Sequence, residues 1–431
     1  MYYKIIFMKE RMMNIAVTRR ETCRLCNSSE VKLVVNLHPV PLAEKYTSSA
    51  EEAKKIPRYP INLYMCHKCS HVQLLDVINS KDLWSDYTYH SGQTQGIINH
   101  FEEVSQKIIS KYTPLSGSLI VDVGSNDGTL LRFFKNAGYT VHGIDPAKDI
   151  AAKATASGIE TTPSVITAEV AKNIRQKYGS ASVVTAFNVY AHADNLGDMT
   201  DAIFSLLSQD GIFVFEVQYL MDIIDKVLIG TIFHEHMSHH SLKPLIQFLN
   251  AHQLELIDVE RISIQKGSII GVAQPKGGPR QISSSVRELV KLEESRSLDK
   301  IQTMEAFNVK IEGNRNISRE LVKNWVQQKL IVAGYGAARS GPTLMAQFEF
   351  EGIIQYIFDD HSQKINRFSP SNGIPVIPTT ELLNRKPDIV IILAWIHARA
   401  IVEKNQAYID AGGKFVICTP EVRIIDSSHP L

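Results

Sequence analysis

Four cysteines stand in two tight pairs, Cys23/Cys26 and Cys66/Cys69, with 39 residues between the pairs. Each C-x2-C lets two thiolates of one turn reach a single ion. Two such turns complete a tetrahedral all-thiolate shell of the kind zinc takes in structural sites. Four protein ligands leave no open coordination position, so such an ion holds a fold together and does no chemistry. The competing readings are two unrelated reduced pairs or a redox motif. Cys418, in a late apolar run, reads as core.

A second constellation is Val121-Asp122-Val123-Gly124-Ser125-Asn126-Asp127-Gly128. An acidic residue near a strand end, then G-x-x-x-G, suits an S-adenosylmethionine loop, because glycine lets the backbone approach a cofactor. Asp122, Gly124, Asn126, Asp127 and Gly128 are the candidate contacts. Asp145, with Pro146 after it, ends the next strand about 20 residues on, where an acid binds ribose hydroxyls. The pattern is not G-x-G-x-x-G, which disfavours NAD. A tight turn without ligand is the plainer alternative. Asn188 and His192 follow the third strand, where polar groups face the ligand crevice of a parallel sheet. Taken singly, each is equally a helix-start or surface residue.

The run Phe233-His234-Glu235-His236, with His239 and His240, could carry protons. It lacks the H-E-x-x-H spacing of helical zinc proteases. One reading is a histidine-rich surface loop. The other is a general base, His236, oriented by the adjacent Glu235 carboxylate. Lastly, Ile331 to Gly341 reads as strand, G-x-G and helix start, with Arg339 in the third glycine place and Asp359 and Asp360 closing the next strand. It suits the phosphate of a nucleotide other than NAD; a turn without ligand is again the alternative.

The elements that must position these groups follow an α/β rhythm. Strands are predicted at Leu119–Val123, Thr140–Ile144, Ser182–Phe187 and Gly211–Glu216, with helices such as Gly128–Lys135 and Ala147–Ala156 between them. That order implies a parallel sheet with helices on both faces. Residues 284–330 read as a charged helical connector. Strands at Leu330–Gly334, Tyr356–Phe358, Asp388–Ala394 and Lys414–Ile417 then imply a second parallel sheet. The predicted fold is α/β with three domains: a zinc-binding module over 21–83, a class I Rossmann-like methyltransferase domain over 84–283, and the connector with a second Rossmann-like domain over 284–431.

Lys plus Arg number 46 and Asp plus Glu 45, a balance that disfavours a general nucleic-acid or membrane-surface binder. No run reaches the ~18 apolar residues of a membrane span. Residues 1–20 mix apolar and charged residues, make a poor signal peptide, and read as an extension with alternative starts at Met8, Met12 and Met13. Five cysteines without a secretory signal suggest a reduced, cytoplasmic protein.

Together these motifs resemble the sugar C-methyltransferases that act on nucleotide-linked 4-keto-deoxyhexoses, over about residues 21–428. The resemblance rests on the four-cysteine module, Tyr87-Thr88-Tyr89-His90-Ser91, the Gly124–Gly128 loop, Asn188 to His192, Glu235-His236, Gly334–Thr343 and Leu393-Ala394-Trp395. It implies S-adenosylmethionine and a structural zinc ion as cofactors. It implies His236 as the base, with Glu235, Tyr89 and His192 as further catalytic groups. Tyr87, Ser91, Gly336, Arg339, Ser340 and Trp395 would meet the substrate. The expected reaction is methylation of a carbon beside the carbonyl, C3, through a base-generated enolate. The expected substrate carries dTDP or another nucleoside diphosphate, and the expected state is a monomer or weak homo-oligomer without nucleic-acid or membrane partners. The chain departs from the family pattern at Phe233 (tyrosine elsewhere), at Arg339 and Ser340 (a lysine loop elsewhere), and at Ile396 and His397 (asparagine and phenylalanine elsewhere). The alternatives are a zinc-ribbon methyltransferase acting on RNA or protein, and a nucleotide-sugar oxidoreductase.

Overall fold

The computed structural model describes residues 17–79, 83 and 90–431. Tyr87 and Tyr89 lie outside the described residues, and the rest of the chain falls into the three parts the motifs suggest.

The N-terminal part is built on an antiparallel sheet of Val31–Val35, Leu63–Cys66 and Val72–Leu74. Its cysteines sit in two matched turns. The Asn27 amide donates to the Cys23 carbonyl and the Ser70 amide to the Cys66 carbonyl, each at 2.9 Å. Asn27 and Ser70 both take left-handed backbone. The sheet has a fourth strand that no local pattern announces: Ser238–His239, from the middle of the chain, pairs antiparallel with Val72–Leu74.

The middle part is a seven-stranded sheet in the order Thr161–Thr162, Thr140–Ile144, Leu119–Val123, Ala181–Phe187, Leu207–Gln218, Ser268–Pro275, Leu254–Ile262. The first five run parallel, and the central strands Leu119–Val123 and Ala181–Phe187 carry near-continuous buried runs, as strands covered on both faces must. The last two run antiparallel, contrary to the all-parallel expectation. The reason is loop length. Only residues 263–267 separate them, far too few for the crossover of about a dozen residues that a parallel pair needs.

The helical connector is two helices, Ser284–Ser295 and Ile301–Gln327. The first packs on the seven-stranded sheet, and its Glu293 accepts bonds from the Tyr219 hydroxyl (2.9 Å) and the Leu242 amide (2.7 Å). The second buries Met304, Phe307, Ile311 and Trp325 along one stripe. Its Arg315 donates to the Gln347 carbonyl at 3.0 Å, tying it to the C-terminal part.

That last part is a six-stranded sheet ordered Val376–Ile377, Ile354–Phe358, Val332–Tyr335, Ile389–Ile392, Lys414–Ile417, Arg423–Ile425, parallel except for the final strand. Its first loop copies the middle domain's. The Gly124 amide bonds the Ile144 carbonyl and the Gly336 amide the Phe358 carbonyl, both at 2.7 Å. The Asp145 carboxylate accepts from the Asn126 and Ala147 amides (2.9 and 2.8 Å); Asp359 accepts from those of Ala337 and His361 (2.6 and 2.7 Å). In both loops the glycine has positive φ, and a Cβ there would collide: with Val189 at 2.2 Å from Gly124, and with Ala394 at 2.3 Å from Gly336.

The three parts share one contiguous core, from Cys66 and Val72 through Val121 and Phe215 to Phe307, Leu344 and Trp395. Polar ties reinforce it. Arg58 reaches both carboxylate oxygens of Glu351 at 2.7 Å, and Thr47 and Phe368 exchange backbone bonds at 2.9 and 3.2 Å. No described helix is long and apolar enough to cross a membrane.

Candidate active site

The four cysteine sulfurs all lie within 4.8 Å of one another, with Cys23–Cys69 and Cys26–Cys66 at 3.6 Å. These separations exceed a disulfide bond and match the ~3.8 Å edge of a tetrahedron with Zn–S of about 2.3 Å. A hydrogen bond from Cys69 pulls the Cys23 thiol down to about 5, while the Cys69 thiol is pushed up by that same bond and by burial. Four sulfurs on two facing turns enclose a space the size of a zinc–thiolate shell. The donor set therefore fits a structural zinc ion, held by Cys23, Cys26, Cys66 and Cys69.

A cavity of about 600 Å³ opens between the carboxyl ends of the two large sheets. From the middle domain it receives Gly124, Asn126, Asp145, Pro146, Asn188 and His192; from the C-terminal domain, Arg339, Ser340 and Trp395; and from other segments, Ser91 and His236. Most of the residues singled out in the sequence thus meet at one place. Others support it from behind. Asp122 is buried in its strand, bonded by the Thr185 hydroxyl at 2.6 Å, and burial pushes its carboxyl up to about 7. Asp127 accepts from the Gly92 amide at 2.9 Å, as Asn126 accepts from that of Ser91, so the loop docks residues 91–92. Gly128 packs on Ile159, and Gly336 on Ala394.

The cofactor end fits S-adenosylmethionine. Asp145 lines the cavity with each carboxylate oxygen bound to one backbone amide, and a carboxylate has about four acceptor sites, so capacity remains for ribose hydroxyls. Asn188 holds left-handed backbone at the strand end. Its amide nitrogen donates to Glu216 at 2.8 Å, which leaves its oxygen as the acceptor group. Glu216 is wholly buried and also pairs with His100 Nε2 at 2.5 Å.

The histidine run is no surface loop. From Ile229 to His240 every residue is buried except His236, which opens to the cavity. His236 Nδ1 donates to the Thr231 carbonyl at 2.6 Å, so the neutral ring keeps its lone pair on Nε2. Burial pushes its pKa down to about 4, which keeps it neutral at pH 7. Its ring stacks on His192 at 5.0 Å and packs on Phe233 at 4.1 Å. Burial holds His192 well below the usual histidine range. Glu235 does not orient His236; its carboxylate turns to Arg339 at 3.1 Å, and burial raises its pKa. Thr231, whose carbonyl does the orienting, was not recognised from the sequence, because backbone acceptors leave no residue signature. Gln218, His361 and Lys364 in the cavity wall were likewise not singled out, and His397, noted only as a departure from the family pattern, also lines it. For His361 and Lys364 a cue existed in the Asp359–Asp360 strand end just before them.

Two outcomes follow. Cys26→Ser should release zinc and lower the melting temperature; full metal occupancy in that variant, read by elemental analysis, would show that the ligand set is wrong. Acidification should also destabilise the fold. Burial lowers His234, His236 and His240 to about 4 and His239 to about 3, against an ordinary 6.5. The unfolded chain takes up these protons below 6.5 while the folded one refuses them, so the stability they contribute is present above pH 6.5 and is lost as pH falls toward 4. The carboxyls of Asp122, Asp145, Glu235 and Glu293, raised by burial, act in the opposite sense, but His71, His142 and His192, also lowered by burial, add to the histidine side. A melting temperature that stays constant from pH 7 to pH 4.5 would contradict this.

Family models match all three parts: "Putative zinc binding domain" over residues 23–84, "Methyltransferase domain" over 100–259, and "C-methyltransferase C-terminal domain" over 263–420. The C-methyltransferase NovU of Streptomyces niveus is 30% identical over 412 residues, covering 95% of this chain and 98% of NovU. Among solved structures, magnesium protoporphyrin IX methyltransferase from Synechocystis PCC 6803 matches at 18% identity and TM-score 0.33, over 45% of this chain and 91% of that one. The CcbJ methyltransferase from Streptomyces caelestis matches at 14% and 0.33, over 45% and 95%. Structural likeness of that degree carries no argument; the likeness to NovU runs the length of both chains. The chain belongs to the family of S-adenosylmethionine-dependent C-methyltransferases.

Proposed function

We propose that this protein methylates a carbon beside the carbonyl, C3, of a nucleotide-linked 4-keto-deoxyhexose and so makes a branched-chain deoxysugar. The observation that carries this reading is His236: a neutral imidazole, fixed through Nδ1 to a backbone carbonyl, in the cavity that also holds the Gly124 loop and Asp145. Such a ring faces the site with its Nε2 lone pair in position to accept a proton from a bound substrate.

A carbon is nucleophilic only when a neighbouring carbonyl can take its electrons. His236 Nε2 removes the proton from C3, the C–H electrons form a C3–C4 double bond, and the carbonyl oxygen becomes an enolate oxyanion. Bound S-adenosylmethionine supplies an electrophilic methyl group on its sulfonium. The enolate carbon would take that methyl as the sulfur–methyl bond breaks, its electron pair returning to sulfur and S-adenosylhomocysteine leaving; the ketone reforms, and the proton remains on His236 until it passes to water. In this reading His192, which lines the cavity against the His236 ring, and Tyr89 are the groups that stabilise the oxyanion. Arg339 and Lys364, held by Glu235 and Glu44 at 3.1 and 2.8 Å, are the groups on the C-terminal wall suited to bond a diphosphate. On this reading Ser91, Ser340 and Trp395 contact the sugar nucleotide, together with Tyr87.

The test is a reaction with S-adenosylmethionine and dTDP-4-keto-6-deoxyglucose, run in H2O and D2O and read by mass spectrometry. The expected product gains one methyl, and NMR places it on C3. His236→Gln should bind S-adenosylmethionine normally and lose turnover and deuterium exchange by about 10²–10⁴-fold. Near-normal turnover in that variant would remove His236 from the role of base.

A further inference from the structure

We propose that Arg24, set between the first two metal-binding cysteines, is a positioning residue that holds His192 and His236 in register with each other. The inference rests on the reading of His236 as the base.

Arg24 is almost wholly buried. Its guanidinium spans two segments that are distant in sequence. Nη1 donates to the carbonyls of Leu74 and Met237, the latter at 3.3 Å, and to Gln73 Oε1 at 3.2 Å. Nη2 lies 3.2 Å from Asp194 Oδ1. Met237 directly follows His236, and Asp194 stands two residues after His192. The guanidinium therefore bonds the backbone next to one stacked histidine and forms an ion pair with a carboxylate two residues from the other. The same two segments are joined by the Ser238 amide donating to the Ala191 carbonyl at 3.1 Å, and the Leu74 amide donates to the Met237 carbonyl at 3.0 Å. Arg20 caps Asp194 from the other side, at 3.1 Å to its carbonyl and 3.2 Å to Oδ1.

Burying a guanidinium is costly unless it is paired, and replacing it with an apolar residue is often harmless to stability. Its retention here therefore points to the geometry it fixes. The metal cluster makes that geometry stiff. Arg24 sits in the turn that Cys23 and Cys26 close, and its own amide is pinned to Gln73 Oε1 at 3.0 Å. Planarity matters too. A lysine would keep the charge but could not reach both segments at once. None of these contacts touches the Gly124 loop or Asp145, so cofactor binding should not depend on them.

The experiment uses the full-length, zinc-loaded enzyme with Arg24→Met, Arg24→Lys and Asp194→Asn. Zinc content, S-adenosylmethionine affinity by calorimetry, and deuterium exchange into dTDP-4-keto-6-deoxyglucose are measured together with kcat and KM. The expected result is unchanged zinc content, cofactor affinity and KM, with exchange and kcat falling together. A displacement near 1 Å costs about 10²-fold, so the loss in Arg24→Met should approach that size, with Arg24→Lys in between. Asp194 is partly exposed and its variant leaves the cluster intact, so it reports even if Arg24→Met folds poorly; it should also slow exchange. Normal exchange in Asp194→Asn and Arg24→Lys would overturn the inference, as would zinc loss in the Arg24 variants, which would assign Arg24 to the metal site alone. His236→Gln separates the two ideas. If it exchanges normally, the base assignment fails; if it is inert while the Arg24 variants are normal, only the positioning role fails.

Discussion

A buried backbone must find partners for its amides and carbonyls, and the segment from Ile229 to His240 is buried almost throughout without belonging to either large sheet. Its partners come from all sides. The metal-bound sheet takes Met237 and Ser238, the middle domain takes Ser238 through Ala191, and the C-terminal domain supplies Thr343, whose hydroxyl bonds the Ile232 carbonyl at 3.1 Å. Gly230 leaves room for Trp395, which a Cβ would approach to 2.4 Å. The three parts are thus arranged around one chain segment, which lines the cavity with Gly230, Thr231, Phe233 and His236, and His236 is its one residue that is not buried. Precision at that ring is a property of the whole assembly.

The two large sheets contribute in a more symmetrical way. Each ends its second strand in an aspartate that ties the first loop to the start of the following segment, and each packs a small or branched side chain where its first glycine lacks one. The same solution gives two loops of similar shape, facing each other across one cavity. Their chemistry differs through the residues nearby: acid and amide groups around Asp145 and Asn188, cations around Arg339 and Lys364. Similar backbones in this way carry different side-chain chemistry to the two sides of one cavity.

Much of this was legible in the sequence where the signal was local. Cysteine spacing gave the metal cluster, glycine placement gave both loops, and the strands Leu119–Val123, Thr140–Ile144 and Lys414–Ile417 have the bounds their apolar runs suggest. What was not legible depends on distance along the chain. Ser238–His239 is two residues long and pairs with a strand some way back, so no periodicity reveals it. The hairpin of Leu254–Ile262 and Ser268–Pro275 was hidden because a short loop, not composition, decides strand direction. The orienting partner of His236 was misread as Glu235 because adjacency in sequence does not imply contact, and Glu235 had a nearer claim from Arg339.

The fourth strand of the cysteine-bearing sheet has a consequence for synthesis. When the ribosome has delivered the four cysteines, Val72–Leu74 is still a bare edge, because Ser238–His239 does not yet exist. The other edge, Val31–Val35, awaits the helix Ile301–Gln327, which comes later still. Until Ser238–His239 is made this small sheet carries two open edges, the form most prone to pair with a wrong chain. Early metal capture would close the two turns and keep the sheet compact during that wait. Zinc supply in the cell would then govern the yield of folded protein before it affected any turnover.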